Sequence, residues 1–405
     1  MRRSLISATT LLLCACQGAE PDLAAEARRI AQDAIIVDTH IDVPYRLEEN
    51  PADVTRDTED GDFDYPRAIA GGLNAAFMSI YTPAELEAEG RSRAVANALI
   101  DLVEGVVASA PDRVAIARSP ADVRQHFEAR ILSLPLGMEN GSPLDGDLAN
   151  LSHFYERGIR YITLAHGKSN ALSDSSYDEN RQWDGLSPFG EAVVREMNRL
   201  GMMVDVSHLS DAAFYDVLAV SSAPVIASHS SARHFTPGFE RNMDDDMIRA
   251  LAANGGVIMI NFGSSFITAE ARAYSKARSD AEKLWKADYP DLSEDEAEAA
   301  FAKIYAEEHG PYPYATLNDV LDHFDHVIRL VGIDHVGIGS DYDGVGDSLP
   351  IGLKDVSSYP ELVLGLLERG HDEAAVRKIL GGNLLRVWEA VEAVARDQAT
   401  TSSST

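Results

Sequence analysis

Eight short apolar runs recur at wide spacing along the chain, at residues 34–38, 74–80, 131–137, 160–165, 202–206, 224–228, 256–261 and 335–339. They are continuous or nearly so, without the polar alternation of a half-exposed strand. Runs of that kind suit strands buried on both faces of a parallel sheet. Between them lie stretches with a helical rhythm, such as PFGEAVVREMNRL at 188–200 and MDDDMIRALAAN at 243–254. Strand and helix in alternation predict βαβ units. Eight such units predict an α/β fold of the (β/α)₈ TIM-barrel type, which needs about 250 residues.

The chain has 405 residues, so it has room for additions. One domain is expected over 25–392, entered by a tether at 17–30. The acidic stretch EENPADVTRDTEDGDFDYP at 48–66 reads as a long loop after the first strand. Residues 268–310 are rich in Ala, Glu and Lys and read as helices inserted between strands seven and eight. Either addition could cover the barrel mouth. The polar end at 393–405 reads as a disordered tail.

Composition adds two exclusions. Hydrophobic residues at 45% and charged residues at 25% are the balance of a folded protein, which excludes wholesale disorder. Asp and Glu number 65 against 35 Lys and Arg, for a net charge of −30. Long-range attraction to nucleic acid or to anionic lipid is thereby excluded.

The first sixteen residues, MRRSLISATTLLLCAC, combine a basic start with an apolar stretch too short to span a bilayer. That is the form of an export signal. Its end, Leu13-Cys14-Ala15-Cys16, is similar to a bacterial lipobox, which predicts cleavage before Cys16 and a lipid on that residue. Gln17 follows instead of an Asp, so the expected location is the outer membrane, facing the periplasm or the exterior. Cys14 and Cys16 are the only cysteines, so the exported domain has neither a disulfide nor a thiolate metal site.

In a barrel of this type, chemistry sits where the strands end on their C-terminal side. Imidazoles and carboxylates follow six of the eight apolar runs: His40 and Asp42, Glu139, His166, His208, His229, and Asp341 with Asp343. A single histidine usually serves structure, but this regular placement points to a shared site. The remaining histidines, His234 and His326 among them, fall in helices, loops or strand starts and receive structural roles. Imidazole and carboxylate without thiolate suit Zn²⁺, with Mn²⁺, Co²⁺ or Fe²⁺ as substitutes. His40 and Asp42 can turn toward one ion, His208 and His229 can hold a second, and Glu139 can bridge them. Two ions about 3.5–4 Å apart can share a hydroxide poised for attack at neutral pH. Asp341 is then free to move a proton from the water to a leaving nitrogen, while Asp343 shapes the turn.

The motifs DTHIDVP at 38–44, GMENG at 137–141, YITLAHGKSN at 161–170, VDVSHLS at 204–210 and PVIASHSSAR at 224–233 resemble the membrane (renal) dipeptidase family of the amidohydrolase superfamily. So do ERNMDDD at 240–246, DHVGIGSDYDG at 334–344 and ILGGNLLRVWEAV at 379–391. The resemblance implies a binuclear zinc barrel that hydrolyses dipeptides, with two Zn²⁺ per chain. It implies metal ligation by His40, Asp42, Glu139, His208 and His229, and Asp341 as general acid/base. It further implies that His166 contacts the substrate carbonyl, that Arg241 binds the terminal carboxylate, and that the protein forms a homodimer. The vertebrate members carry disulfides and a C-terminal lipid anchor, which this sequence does not reproduce. Hydrolysis of N-acyl amino acids or lactams is the neighbouring chemistry, and a non-catalytic metal- or peptide-binding lipoprotein is the reading from another class.

Overall fold

Strand and helix do alternate, and the strands close on themselves. The computed structural model describes residues 22–289 and 292–402; the expected leader at 1–16 and Cys16 lie outside them. Ten strands are described: β1 (Ile36–Ile41), β2 (Leu73–Tyr81), β3 (Val114–Ala115), β4 (Leu132–Ser133), β5 (Leu136–Glu139), β6 (Ile159–Thr163), β7 (Met203–Asp205), β8 (Ile226–Ala227), β9 (Val257–Ile260) and β10 (Val336–Ile338). All pair in parallel, in the order β1-β10-β9-β8-β7-β6-β5-β2, and β1 pairs again with β2 to close an eight-stranded barrel. The short β3 and β4 extend the sheet beside β2.

Each of the eight apolar runs overlaps a barrel strand, because burial on both faces favours apolar residues at most positions. Alternate residues serve the two faces. Val37, Ala75, Phe77, Tyr161, Met203, Ile226, Val257 and Met259 share one buried cluster with the C-terminal helix. Their neighbours Ile36, Ala76, Met78, Ile162, Val204, Ile258 and Ile260 pack into the other, with the surrounding helices. The run at 131–137 differs from expectation, since it splits into β4 and β5 around Pro135. Proline has no N–H to give a ladder.

The C-terminal helix Asn383–Ser402 closes the barrel end opposite the site. Trp388 packs tilted against Phe77, ring centroids 5.4 Å apart, and Arg386 donates to the carbonyls of Gly255 and Asp334, just before β9 and β10. This helix also corrects the expected tail, because residues 393–402 continue it. Its first turns are anchored by Leu384, Val387, Trp388 and Val391, and extending a nucleated helix costs little. The insertion at 268–310 does form helices, Ala269–Lys286 and Glu294–His309, which meet through Tyr274–Tyr305 and Trp285–Phe301.

One buried histidine of the fold carries a pH prediction. His323, in the helix Leu317–Val331, accepts from the Ala232 N–H through Nδ1 and donates to the Ile267 carbonyl through Nε2. Both ring nitrogens are committed to the neutral form, and burial pushes the imidazole down to about 4. The unfolded chain binds the proton at about 6.5. This contribution is therefore complete above pH 6.5 and is lost as pH falls toward 4, by up to about 3 kcal/mol. Urea unfolding at pH 7.5 and 4.5 should show a smaller acid-induced loss in His323→Gln than in wild type. Equal losses in the two proteins would remove His323 from the account.

Candidate metal centre

The polar strand ends converge on a cavity of about 690 Å³ at the C-terminal mouth of the barrel. Asp42, Glu139, His166, His208, His229 and Asp341 all line it, and His40 lies fully buried beneath. His208 and Asp341 take positive φ values, 69° and 65°. His and Asp tolerate that left-handed conformation better than most side chains. There it breaks the strand's pleat and turns consecutive side chains toward the mouth.

Glu139 stands at the centre and divides its two oxygens. Oε2 is 3.4 Å from His40 Nε2, which is itself 3.4 Å from Asp42 Oδ2. Oε1 is 3.1 Å from His208 Nε2 and 3.3 Å from His229 Nε2. His166 Nε2 lies on this second side too, at 3.6 Å from Oε1. The ring nitrogens of His208 and His229 face each other at 2.8 Å.

Hydrogen bonds behind the ring nitrogens fix their tautomers. The Tyr161 hydroxyl donates to the Thr39 carbonyl, so it accepts from His40 Nδ1–H at 2.9 Å and leaves Nε2 facing the cavity. Ser228 Oγ donates to Asp205 and accepts from His229 Nδ1–H, which again leaves Nε2 facing inward. Tyr161 can cross the barrel because Gly137 has no side chain; a Cβ there would collide with the ring. Tyr161, Ser228 and Asp205 were not foreseen. Asp205 and Tyr161 sit inside apolar runs, and an inward polar residue there was the available signal.

The electrostatics call for cations. Burial alone raises a carboxyl, but the imidazoles of His40, His166, His208 and His229 outweigh it and hold Glu139 well below the usual range. Burial disfavours a charged His40, yet Tyr161, Glu139 and Asp42 hold its imidazole well above the ordinary value. In effect a proton occupies the place where a cation is favoured. Burial first, and then Arg241, hold His208 well below the ordinary value. Burial, followed by His40 and Arg241, does the same for His229. The donor set fits divalent metal. His40 Nε2 and Asp42 Oδ1 are buried without a hydrogen-bond partner. Ligand atoms of His40, Glu139 and His229, of Glu139, His166 and His208, and of His40, Asp42 and Asp341 lie within 4.8 Å of one another. Gly344 permits the approach, since a Cβ there would strike both Asp42 and Asp341.

Asp341 is held from one side. Asn261, at the end of β9, donates from Nδ2 to Asp341 Oδ2 at 2.6 Å, while its own Oδ1 accepts from the Gly263 N–H. Sequence reasoning missed Asn261, although it is the polar last residue of an apolar run. Burial pushes the Asp341 carboxyl up to about 8; Asp42 and Glu139 add to this, and His40 and Arg241 oppose it. Asp343 shapes the turn as expected. It accepts from Arg46 Nε at 2.8 Å and from the Asp62 N–H at 2.6 Å, tying the acidic loop to β10.

Two further expectations meet their geometry here. His166 is 24% exposed at its side chain, and its imidazole is lowered by burial, with Arg241 adding to the effect. Arg241 is only 2% exposed and makes no ion pair with Asp244–Asp246. It donates to Ser230 Oγ and the His229 carbonyl, lies over the Phe266 ring, and keeps a buried, unpartnered Nε. Glu49 and Asn50 of the acidic loop reach the cavity wall, and no described residue of 268–310 does.

The membrane dipeptidase family (peptidase family M19) matches residues 24–402. The chain belongs to this family. It is 34% identical to dipeptidase 3 of Mus musculus over 384 residues, 93% of this chain and 68% of that protein. Among solved structures, the probable dipeptidase PvdM of Pseudomonas aeruginosa superposes with a TM-score of 0.80 at 28% identity, covering 92% of this chain and 99% of that one. A metallo peptidase of Rhodobacter sphaeroides, liganded with a phosphinate mimic of the dipeptide L-Ala-D-Ala, superposes with a TM-score of 0.72 at 27% identity. It covers 89% of this chain and all of that one. As a member of this family the chain is a metallo-dipeptidase, a hydrolase of the dipeptide bond.

Proposed function

We propose that this dipeptidase works with two zinc ions, one held by His40, Asp42 and Glu139 Oε2, the other by Glu139 Oε1, His208 and His229. The observation that carries this reading is the divided carboxylate of Glu139, with one oxygen toward each ligand group. When bound, the ions supply Lewis acidity at the scissile carbonyl and an acidified water.

The chain's own residues perform the remaining steps. His166, neutral near pH 7 because burial lowers it, donates from its ring N–H to the carbonyl oxygen as charge develops. Asp341 takes a proton from the attacking water and delivers it to the leaving nitrogen, while Asn261 keeps its carboxylate in place. Arg241 offers a forked guanidinium, with Nε free, to the terminal carboxylate of the substrate. Dipeptides of L-Xaa-L-Xaa and L-Xaa-D-Xaa form are the proposed substrates; the L-Ala-D-Ala mimic bound by the Rhodobacter sphaeroides relative supports the second class. We also propose export with a lipid on Cys16, attachment to the outer membrane and a homodimer, the first two from the leader and the last from the family.

A zinc-loaded panel of L,L, L,D and D,L dipeptides tests the substrate reading, with a tripeptide and an N-acetyl amino acid as controls. A site that recognises both substrate termini leaves a buried charge unpaired when the chain is longer or the amine is blocked. Turnover of L,L or L,D dipeptides should exceed that of both controls by at least about tenfold, equivalent to about 1.4 kcal/mol. Faster turnover of the N-acetyl amino acid would move the chain to the neighbouring amidohydrolase chemistry.

A further inference from the structure

We infer that His234, Asp245 and His326 form a second metal site, outside the barrel mouth, that takes one Zn²⁺ or a similar imidazole-favouring divalent ion. Ligand atoms of the three residues lie within 4.8 Å of one another, and none belongs to the catalytic centre. His326 is buried and its Nε2 lies 2.7 Å from Asp245 Oδ1. His234, exposed, stacks on His326 with ring centroids 4.5 Å apart and planes 19° apart. With the rings this close and a ring nitrogen of each near the Asp245 carboxylate, one ion can meet both.

The surroundings leave Asp245 available. Of the three consecutive carboxylates, Asp244 caps the helix Asp245–Ala253 and faces Arg233, and Asp246 pairs with Arg249. Asp245 alone turns to the imidazoles. Together the three offset the partial positive charge of that helix N-terminus, which would otherwise repel a cation. An adjoining hollow of about 470 Å³, lined by His234 and Asp245 among others, gives access from solvent. Two imidazoles, one carboxylate and an open position are a common zinc arrangement. The ion would join the turn Arg233–Phe235, the helix Asp245–Ala253 and the helix Leu317–Val331. The first two bracket Arg241, so the site would brace the segment that carries it.

Equilibrium dialysis of the full chain against Zn²⁺, with metal counted per chain, tests the site in wild type, His234→Ala and Asp245→Asn. Each variant should bind one equivalent fewer than wild type, whatever the occupancy of the barrel mouth. Dipeptide turnover at low Zn²⁺ should be unchanged in His234→Ala, while the zinc-induced rise in Tm becomes smaller. His234 is exposed, so its removal leaves the core intact. Equal stoichiometry in wild type and both variants would overturn the site and reduce the cluster to a hydrogen-bonded structural contact.

Discussion

Replacing Asp341 by Asn should lower kcat for a dipeptide by about 10²- to 10⁴-fold, the usual yield of a positioned general acid/base, while the protein keeps its metal. The substitution preserves shape and removes only the capacity to take and return a proton. Asp341 suits that task through its surroundings. In the metal-free chain burial lifts its carboxyl to about 8, and Asp42 and Glu139 add to this. Asn261 can only donate to it, because the other amide atom is engaged by the Gly263 N–H. The carboxylate is therefore oriented by a partner that does not titrate. Metal analysis beside the kinetics separates the two roles its position allows, for it also lies within ligand distance of His40 and Asp42. Loss of an ion together with activity would make Asp341 a ligand and end its assignment to proton transfer.

The barrel was legible because a parallel strand buried on both faces leaves a nearly continuous apolar run, and each of the eight runs marked one. The ligand groups were legible because strand ends in this fold face one mouth, so His40, Glu139, His208 and His229 declared themselves by position. What escaped depends on contacts across the barrel. Tyr161 read as an apolar-run residue, yet it fixes the tautomer of His40 from 121 positions away. Its reach depends on the absence of a side chain at Gly137, which no local pattern reveals. Asn261 was taken as the end of a strand, and its role appears only when β9 and β10 lie side by side. The histidines assigned a structural role were judged singly, so His234 and His326, 92 residues apart, could not be seen to stack. The tail was misread because its polarity speaks of the exposed face alone, while helix propagation from Trp388 and Val391 decides its form. Arg241 was named by resemblance alone, and its buried setting over Phe266 appears only in the fold.

Glu139→Gln should abolish binding at both positions of the mouth, whereas Asp42→Asn should cost only one ion. The difference follows from geometry. Glu139 alone gives an oxygen to each group, and a glutamine offers one acceptor and one NH₂ that cannot ligate. Asp42 touches only the His40 side, and His208 with His229 remain intact without it. Removing Glu139 also removes one of the two carboxylates that face His40 and the one that faces His208 and His229, which are buried. Metal counts per chain and the rise in Tm on adding Zn²⁺ read the two cases independently of turnover. A ligand present at a hundred times its Kd stabilises the folded state by about 2.7 kcal/mol. The glutamine variant should lose the part of that rise owed to the mouth, and the asparagine variant should keep a portion of it. Dipeptide turnover should fall at least about 10³-fold with glutamine, equivalent to about 4 kcal/mol. A glutamine variant that still held two ions at the mouth would show that the divided carboxylate is not what joins the two positions, and the two-ion assignment would then have to rest on other ligands.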